Sequence, residues 1–118
     1  MDARRGQVYN ALFEISDGAP ARLVPDRAVT LEELAAELLG YGRAVFLTGD
    51  GAQLALGALS AAGLSCRLAP GPLLMQSAWG VCMAARGLEM QSAEKLLPVY
   101  LRLSQAERER QERLENTK

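Results

Sequence analysis

The residues best placed to do chemistry are Gly49, Asp50 and Gly51, because they lie where a predicted strand gives way to a predicted helix. Backbone N–H groups at such a turn can hold a phosphate, and an aspartate can hold a metal ion bound to it. The structural alternative is that the glycines permit a tight turn while Asp50 caps the following helix. We favour the cap, because the Walker A and GxGxxG patterns are both missing. We therefore assign no cofactor, no metal ligand and no catalytic residue.

The sequence contains few other residues that could serve in catalysis. The sequence has no histidine, so the commonest general base and metal ligand is absent, and an HExxH zinc site is excluded. Cys66 and Cys82 lack CxxC spacing, and both lie in apolar runs, where we expect free thiols. These observations argue against a hydrolytic enzyme.

Two further groups of polar residues could meet an anion or a partner. Asp2, Arg4 and Arg5 lie together just before a predicted strand, where they could bind a phosphate. An Asp–Arg pair that fixes the start of the strand is the commoner use, and we favour it. Tyr100 and Arg102 are two residues apart on an extended segment, so they point to the same side and either meet a partner or close the core.

Composition and charge narrow the class of protein. The 118 residues fit one domain, and a net charge of -1 supplies no cationic field for autonomous binding to nucleic acid or to an acidic membrane. The longest apolar run is interrupted by Pro70, Gly71 and Pro72, which argues against a membrane span. The polar N-terminal residues lack the apolar run of a signal peptide, so we do not expect them to act as one. We expect a cytoplasmic protein.

The first third of the chain predicts a hairpin followed by a helix. Residues 7–15 alternate as a half-buried strand, residues 16–20 have turn chemistry, and the returning strand is interrupted at Pro25. Thr30 and Glu33 have capping-box spacing ahead of an apolar stripe, and Gly40 is the predicted end of that helix.

The remainder alternates strands and helices. The stretch "RAVFLTG" predicts a buried parallel strand, a helix follows up to Gly63, and "SCRLA" predicts another short strand. A long helix from about Leu73 to Arg86 is apolar nearly all round, so we expect it to be well buried. This order predicts an α/β sheet with helices on its faces. The predicted core residues are Trp79, Met75, Val81, Phe46, Leu34 and Leu38.

Three segments in this order resemble the second half of the bacterial TsaB (YeaZ) family. They are "DARRGQVY" at Asp2 to Tyr9, "FLTGDG" at Phe46 to Gly51, and "LLPVYLRLSQAE" at Leu96 to Glu107. The first and last are specific, whereas the middle one is not. The motif residues that the resemblance marks as structural or as interface are Asp2, Arg4, Gly6, Tyr9, Pro98, Tyr100 and Arg102.

The resemblance implies a ribonuclease-H-like, or actin-like ATPase, subdomain over residues 1–103, followed by a charged, partly helical tail over 104–118. The family is the non-catalytic scaffold of the machinery that makes threonylcarbamoyladenosine in tRNA, with the catalytic subunit TsaD and the ATPase TsaE as partners. Its older label, glycoprotease or M22 peptidase, does not suit a chain without histidines.

A TsaB protein is about twice as long, and its first half carries the surface that docks TsaD. In the family the first motif follows a central strand, so we expect a C-terminal fragment with an unpaired strand edge. Such an edge could form a homo-oligomer or recruit the other half. Two alternatives stay open: a nucleotide-binding or phosphotransfer module that uses Gly49, Asp50 and Gly51, and a structural domain of another actin-like protein.

Overall fold

The computed structural model describes residues 1–101, 107, 110 and 113–115, which form two small sheets under a shared layer of two helices. The antiparallel sheet has the order β1 (Asp2–Arg4), β2 (Gln7–Ser16), β3 (Ala19–Thr30), and the parallel pair is β4 (Val45–Leu47) with β5 (Cys66–Leu68). The helices are α1 (Leu31–Tyr41), α2 (Ala52–Ala61), α3 (Gly71–Leu74) and α4 (Ala78–Ala85), and a 3-10 turn spans Ala93–Lys95. The predicted mixed α/β architecture is confirmed, whereas its ribonuclease-H-like assignment stays a prediction.

The hairpin follows the predicted turn chemistry. Ser16 pairs with Ala19, so Asp17 and Gly18 form a two-residue turn in which both residues have positive φ, 52° and 78°. Such turns match the right-handed twist of the flanking strands. The register shifts opposite Asn10 to Phe13, and this irregularity leaves Pro25 without a ladder partner. The irregular returning strand is confirmed.

Helix α1 begins at the predicted capping box. The Thr30 hydroxyl accepts a hydrogen bond from the Glu33 N–H at 3.1 Å, and the Glu33 carboxylate accepts one from the Thr30 N–H at 3.0 Å. The helix ends at Tyr41 with Gly42 as its left-handed cap, so the predicted end at Gly40 is wrong: the capping glycine is the one two residues later. Gly42 serves because it is the residue with positive φ, 62°.

The core lies between this helix layer and the inner faces of both sheets. Leu59 of α2 is fully buried at its centre, and the predicted core residues Leu34 and Leu38 are buried beside it. Helix α2 ends at Ala61, and Gly63 follows with a φ of 87° while the Leu64 N–H donates to the Leu59 carbonyl, which confirms the predicted stop at Gly63. The buried cluster comprises Val8, Val29, Leu34, Leu38, Ala35, Ala55, Leu59 and Leu64.

The predicted long, buried helix is wrong. Residues 73–86 are divided between α3 and α4, because the Ser77 hydroxyl accepts from the Gly80 N–H and starts a new helix there. The predicted core residues Trp79, Val81 and Met75 are 74%, 66% and 60% exposed. An all-apolar helix is buried only when other elements surround it, and the described residues supply none.

Phe46 is also not a core residue, since 68% of its surface is exposed. Its neighbours Val45 and Leu47 pack against the core, and alternation along β4 turns Phe46 to the opposite face. No described element covers that face at β4. The strand itself is predicted correctly. The expectation that both of its faces are buried is wrong, because only one face packs against the core.

The chain is open rather than spherical. Its radius of gyration is 17.1 Å, against about 13.5 Å from the size scaling of compact domains. None of the side chains of residues 71–101 is buried, so this segment is not packed into the core. Most of the predicted tail 104–118 lies outside the described residues. The tail residues that the structure describes, 107, 110 and 113–115, have helical backbone. Within the described part of the chain, no helix is both long and apolar enough to cross a membrane.

Candidate functional site: the junction of two sequence motifs

The first motif forms a tight turn between β1 and β2. Arg4, Arg5 and Gly6 have consecutive positive φ angles of 65°, 54° and 72°. The Asp2 carboxylate accepts a hydrogen bond from the Arg4 N–H at 2.7 Å, so it holds the turn through the main chain. The predicted Asp–Arg pair is therefore wrong in kind, because the aspartate bonds the backbone of Arg4. Left-handed non-glycine residues cost free energy, which the hydrogen bond of Asp2 helps to offset.

The turn is tied to its surroundings through the backbone. The Gly6 carbonyl accepts a hydrogen bond from the N–H of Leu31, the first residue of α1, at 3.1 Å. Tyr9 exchanges two hydrogen bonds with Met1, each of 2.8 Å, which pairs the two main chains at the edge of β2. Gly6 and Tyr9 thus contribute through their main-chain groups. The Tyr9 side chain is half-buried.

The glycine loop after β4 does not follow the favoured interpretation. The N-cap of α2 is Gly51, and no side chain caps this helix, so the prediction that Asp50 is the cap is wrong. The Asp50 carboxylate instead lies 3.7 Å from the N-terminal ammonium of Met1, with both groups more than half exposed. Gly49 has a φ of 97° and its N–H donates to the Leu74 carbonyl at 2.6 Å, so this amide is not free for a phosphate.

The two motifs meet at Gly51. A Cβ built on Gly51 would lie 2.9 Å from the Asp2 nitrogen and from the Met1 carbonyl carbon. We call this contact, formed by Met1, Asp2, Asp50 and Gly51, the motif junction. It joins the antiparallel sheet to the loop between β4 and α2.

Residues 96–101, the continuous part of the third motif that the structure describes, are not among the residues of the junction. Tyr100 is 84% exposed and Pro98 is exposed as well, while Arg102 lies outside the described residues. The shared side of Tyr100 and Arg102 stays a prediction. Sequence reasoning missed Leu73 and Leu74, which connect the start of residues 71–101 to the end of β4.

Thr48 makes that connection. Its hydroxyl lies 2.5 Å from the Leu73 carbonyl and 3.2 Å from the Leu74 carbonyl, beside the bond from the Gly49 N–H. The sequence signal that could have indicated this connection is a threonine at the end of an apolar strand, because its hydroxyl can donate to a nearby backbone carbonyl. Thr48 and Gly49 together anchor the start of residues 71–101 to the end of β4.

The junction has the character of a structural contact. Across the described residues, no group of three His, Cys, Asp or Glu side chains could hold a metal ion. Cys66 and Cys82 are both free thiols, as predicted. A small open cavity of about 220 Å³ lies elsewhere, between the ends of α1 and α2 and lined in part by Arg43 and Ser65. None of the predicted site residues lines it.

The chain has a curated relative, the tRNA threonylcarbamoyladenosine biosynthesis protein TsaB of Bacillus subtilis (strain 168). The two are 32% identical over 115 residues, which cover 90% of this chain and 47% of the relative. The chain thus spans about half the length of the curated relative it matches. No protein-family model and no solved structure matches the chain. The resemblance inferred from the motifs is therefore confirmed: over nine tenths of its length this chain is similar to a TsaB protein, in agreement with a C-terminal TsaB domain.

Proposed function

We propose that this chain acts in the biosynthesis of threonylcarbamoyladenosine in tRNA, as a non-catalytic scaffold part of a TsaB-type protein. The observation that carries the proposal is the similarity to TsaB of Bacillus subtilis over 90% of the chain. The motif junction supports it, because the first motif and the middle motif are far apart in sequence and yet touch at Gly51.

A scaffold role agrees with the chemistry of the residues. Asp2 and Gly6 hold a turn through main-chain hydrogen bonds, and Asp50 contacts the N-terminal ammonium. The groups of Asp2 and Gly6 are thus occupied in positioning the backbone. In a complex of this kind the catalytic groups would come from TsaD and the nucleotide chemistry from TsaE, with this chain in the cytoplasm beside the tRNA pool.

The large apolar surface supports assembly with another protein. Trp79, Val81 and Phe46 are each at least 66% exposed, and contiguous exposed apolar surface marks interaction sites in soluble proteins. The chain matches 47% of its relative, so the remainder of a TsaB-type protein is one candidate to bury this apolar surface. We therefore propose that the chain is active only in association.

The test is reconstitution of the modification from purified parts. TsaD- and TsaE-type proteins of Bacillus subtilis are mixed with substrate tRNA, ATP, an activated threonylcarbamoyl donor and this chain, the first half of the relative, or both. Threonylcarbamoyladenosine is then measured by nucleoside mass spectrometry. We expect the modified nucleoside only when both halves are present, with intact TsaB as the positive control. Its absence from the mixture of both halves, while intact TsaB is active, contradicts the proposal.

A further inference from the structure

We propose that the outer edge of β5 pairs with an extended segment of another protein that carries an acidic residue opposite Arg67. This pairing goes beyond the proposed function, because it concerns the free edge of the parallel pair, and its test measures peptide binding. The outer edge is the side of β5 that faces away from β4, from Cys66 to Leu68. None of these residues belongs to the motif junction.

The main-chain groups on the outer edge follow from the bonds of β5 to β4. Ser65 and Ala69 flank the strand, and both bond β4: the Ser65 carbonyl accepts at 3.0 Å and the Ala69 N–H donates at 2.8 Å. Alternation along the strand turns the N–H and C=O groups of Arg67 towards β4 as well. The N–H and C=O groups of Cys66 and Leu68 therefore point to the outer edge.

The described part of the chain leaves this edge without a strand. Among the described residues, β4 is the sole strand partner of β5. After β5 the chain turns back towards the end of β4, where the Gly49 N–H donates to the Leu74 carbonyl and the Thr48 hydroxyl lies 2.5 Å from the Leu73 carbonyl. The start of the segment that follows β5 thus lies on the side of β4, away from the outer edge.

The two faces of β5 differ in polarity. Cys66 packs against the core, and its Sγ lies 3.4 Å from the Ser60 Oγ of α2. Leu68 is two residues further along, so it shares this face, and it is half-buried. Arg67 is exposed on the opposite face, where its register partner is Phe46. A strand beside β5 therefore has apolar neighbours on the helix side and a cation on the other side.

Arg67 gives the edge its charge. Arg22, Arg27 and Arg43 each form an ion pair with a carboxylate, whereas no carboxylate of the described residues pairs with Arg67. Opposite charges directly across two paired strands stabilise the pairing, and like charges destabilise it. The unpaired guanidinium therefore favours a partner strand that carries a carboxylate.

The spacing of these groups defines the partner segment. An antiparallel strand that bonds both Cys66 and Leu68 places its middle residue directly opposite Arg67, in a non-hydrogen-bonded pair, where side chains approach closest. That residue is aspartate or glutamate. The residues before and after it lie opposite Cys66 and Leu68 and point to the helix side, so they are apolar and β-branched. The partner is thus an extended segment with one acidic residue between two apolar ones.

A second copy of this chain fits less well. In the register that bonds Cys66 and Leu68 of both copies, a two-fold axis places Arg67 of one copy directly opposite Arg67 of the other. Like charges in this position destabilise the pairing. The outer strand of the antiparallel sheet, β3, contains Pro20 and Pro25, which cannot donate to a ladder. A separate protein with an acidic strand is therefore the partner that the edge favours.

The test titrates the whole, isotope-labelled chain with two synthetic peptides while the amide resonances are followed by NMR. The peptide acetyl-GTVEVTG-amide has glutamate at its centre, and acetyl-GTVKVTG-amide has lysine there. We expect saturable shifts of the Cys66 and Leu68 amides, with the glutamate peptide binding roughly three- to tenfold more tightly. The Ala69 amide, which already bonds Leu47, is the internal control and should shift less.

Hydrogen exchange distinguishes strand pairing from a looser contact. An amide that bonds the peptide exchanges from the unbound chain, so exchange at Cys66 and Leu68 should slow roughly tenfold when about nine tenths of the chain is bound. The Phe46 N–H faces the other edge of β4, because its neighbours Val45 and Leu47 bond β5. We expect exchange at Phe46 to stay unchanged.

Two charge-reversal variants locate the binding. Arg67→Glu should reverse the preference, so that the lysine peptide binds roughly three- to tenfold more tightly than the glutamate peptide. Arg5→Glu is the matched control, because it changes the net charge equally at an exposed turn residue of the antiparallel sheet. We expect it to keep the preference of the wild type. Far-UV circular dichroism checks that both variants fold.

Several outcomes overturn the inference. They are an absence of saturable binding, equal binding of the two peptides, and the same preference in Arg67→Glu as in the wild type. Protection at Phe46 without Cys66 and Leu68 also overturns it, because the peptide would then lie on the other edge of β4. A concentration-dependent dimer in light scattering, with Cys66 and Leu68 protected before peptide is added, would assign the edge to a second copy of this chain.

Discussion

Gly51 lies directly against Met1: a Cβ on Gly51 would stand 2.9 Å from the Met1 carbonyl carbon, closer than real Cβ contacts occur. Because the obstructing atoms belong to a backbone, they cannot rotate away as a side chain would. The contact is one of the places at which the antiparallel sheet meets the loop after β4, so a substitution here tests whether the junction contributes to stability.

We expect Gly51→Ala to destabilise the chain by about 1 to 3 kcal/mol, the usual cost of overpacking. Gly51 has a φ of -82°, so backbone strain does not contribute. Gly57→Ala in the same helix is the matched control, since nothing lies within 4 Å of its Cβ. Removing a helical glycine should stabilise it by roughly 0.5 to 1 kcal/mol. Urea unfolding measures both, and equal effects would refute the close contact.

A second prediction is that alanine substitution lowers the unfolding free energy far more at Leu59 than at Trp79. Leu59 is 0% exposed at the centre of a small core, so Leu59→Ala should cost about 2 to 5 kcal/mol. Trp79 is 74% exposed, so Trp79→Ala should change the unfolding free energy by less than about 0.5 kcal/mol. Chemical denaturation of the two variants beside the wild type provides the comparison. A large loss for Trp79→Ala in the isolated chain would show that α4 is packed.

The capping box of α1 predicts a dependence of stability on pH. The backbone N–H and the hydroxyl of Thr30 donate to Glu33 and hold the pKa of its carboxyl below the ordinary value of 4.5. Since the folded-state pKa is depressed, the stabilisation is present above pH 4.5 and is lost as the pH falls through the lower folded value.

Glu33→Gln isolates this effect, because glutamine keeps an acceptor for the Thr30 N–H but does not titrate. The urea midpoint of the wild type should exceed that of Glu33→Gln at neutral pH, and the gap should close in acid. Glu32→Gln, outside the capping box, is the control. A gap between the wild type and Glu33→Gln that is independent of pH would contradict the assignment.

Thr48 should govern how firmly residues 71–101 are attached. Thr48→Val keeps the shape of the side chain but removes the hydroxyl that bonds Leu73 and Leu74. Loss of one hydrogen bond of about 0.5 to 1.5 kcal/mol should raise the rate of limited proteolysis in this segment several-fold. Ser92→Ala is the control, since the Ser92 side chain makes no cap bond. Equal cleavage of Thr48→Val and the wild type would rule out this anchor.

The glycine loop should not respond to nucleotide. The Gly49 N–H is bonded to Leu74, and the main chain of Met1 lies against Gly51. A site occupied at one hundred times its dissociation constant would add about 2.7 kcal/mol to the unfolding free energy. We expect the melting temperature to be unchanged by ATP with magnesium, for the wild type and for Asp50→Ala alike. A stabilisation by ATP that Asp50→Ala removes would revive the phosphate-binding alternative.

Local sequence determined the elements whose signals lie within a few residues. The capping box of Thr30 and Glu33 starts α1 because each group satisfies a backbone donor in the first turn. Asp17 and Gly18 specify the hairpin because both adopt positive φ. The parallel strands and the helix that ends at Gly63 follow from the same kind of short-range signal. The TsaB motifs were likewise readable from residue identity alone.

Tertiary structure decided what those elements meet. The apolar pattern of α4 shows that Trp79 avoids water, but only the packing of the whole chain shows that no described element covers it. Alternation in β4 does not tell which face is buried, and the position of α2 selects Val45 and Leu47 over Phe46. The contact of Gly51 with Met1 joins residues that are far apart in sequence. Burial and long-range contact depend on how the elements are placed in space, and for that reason the local pattern could not determine them.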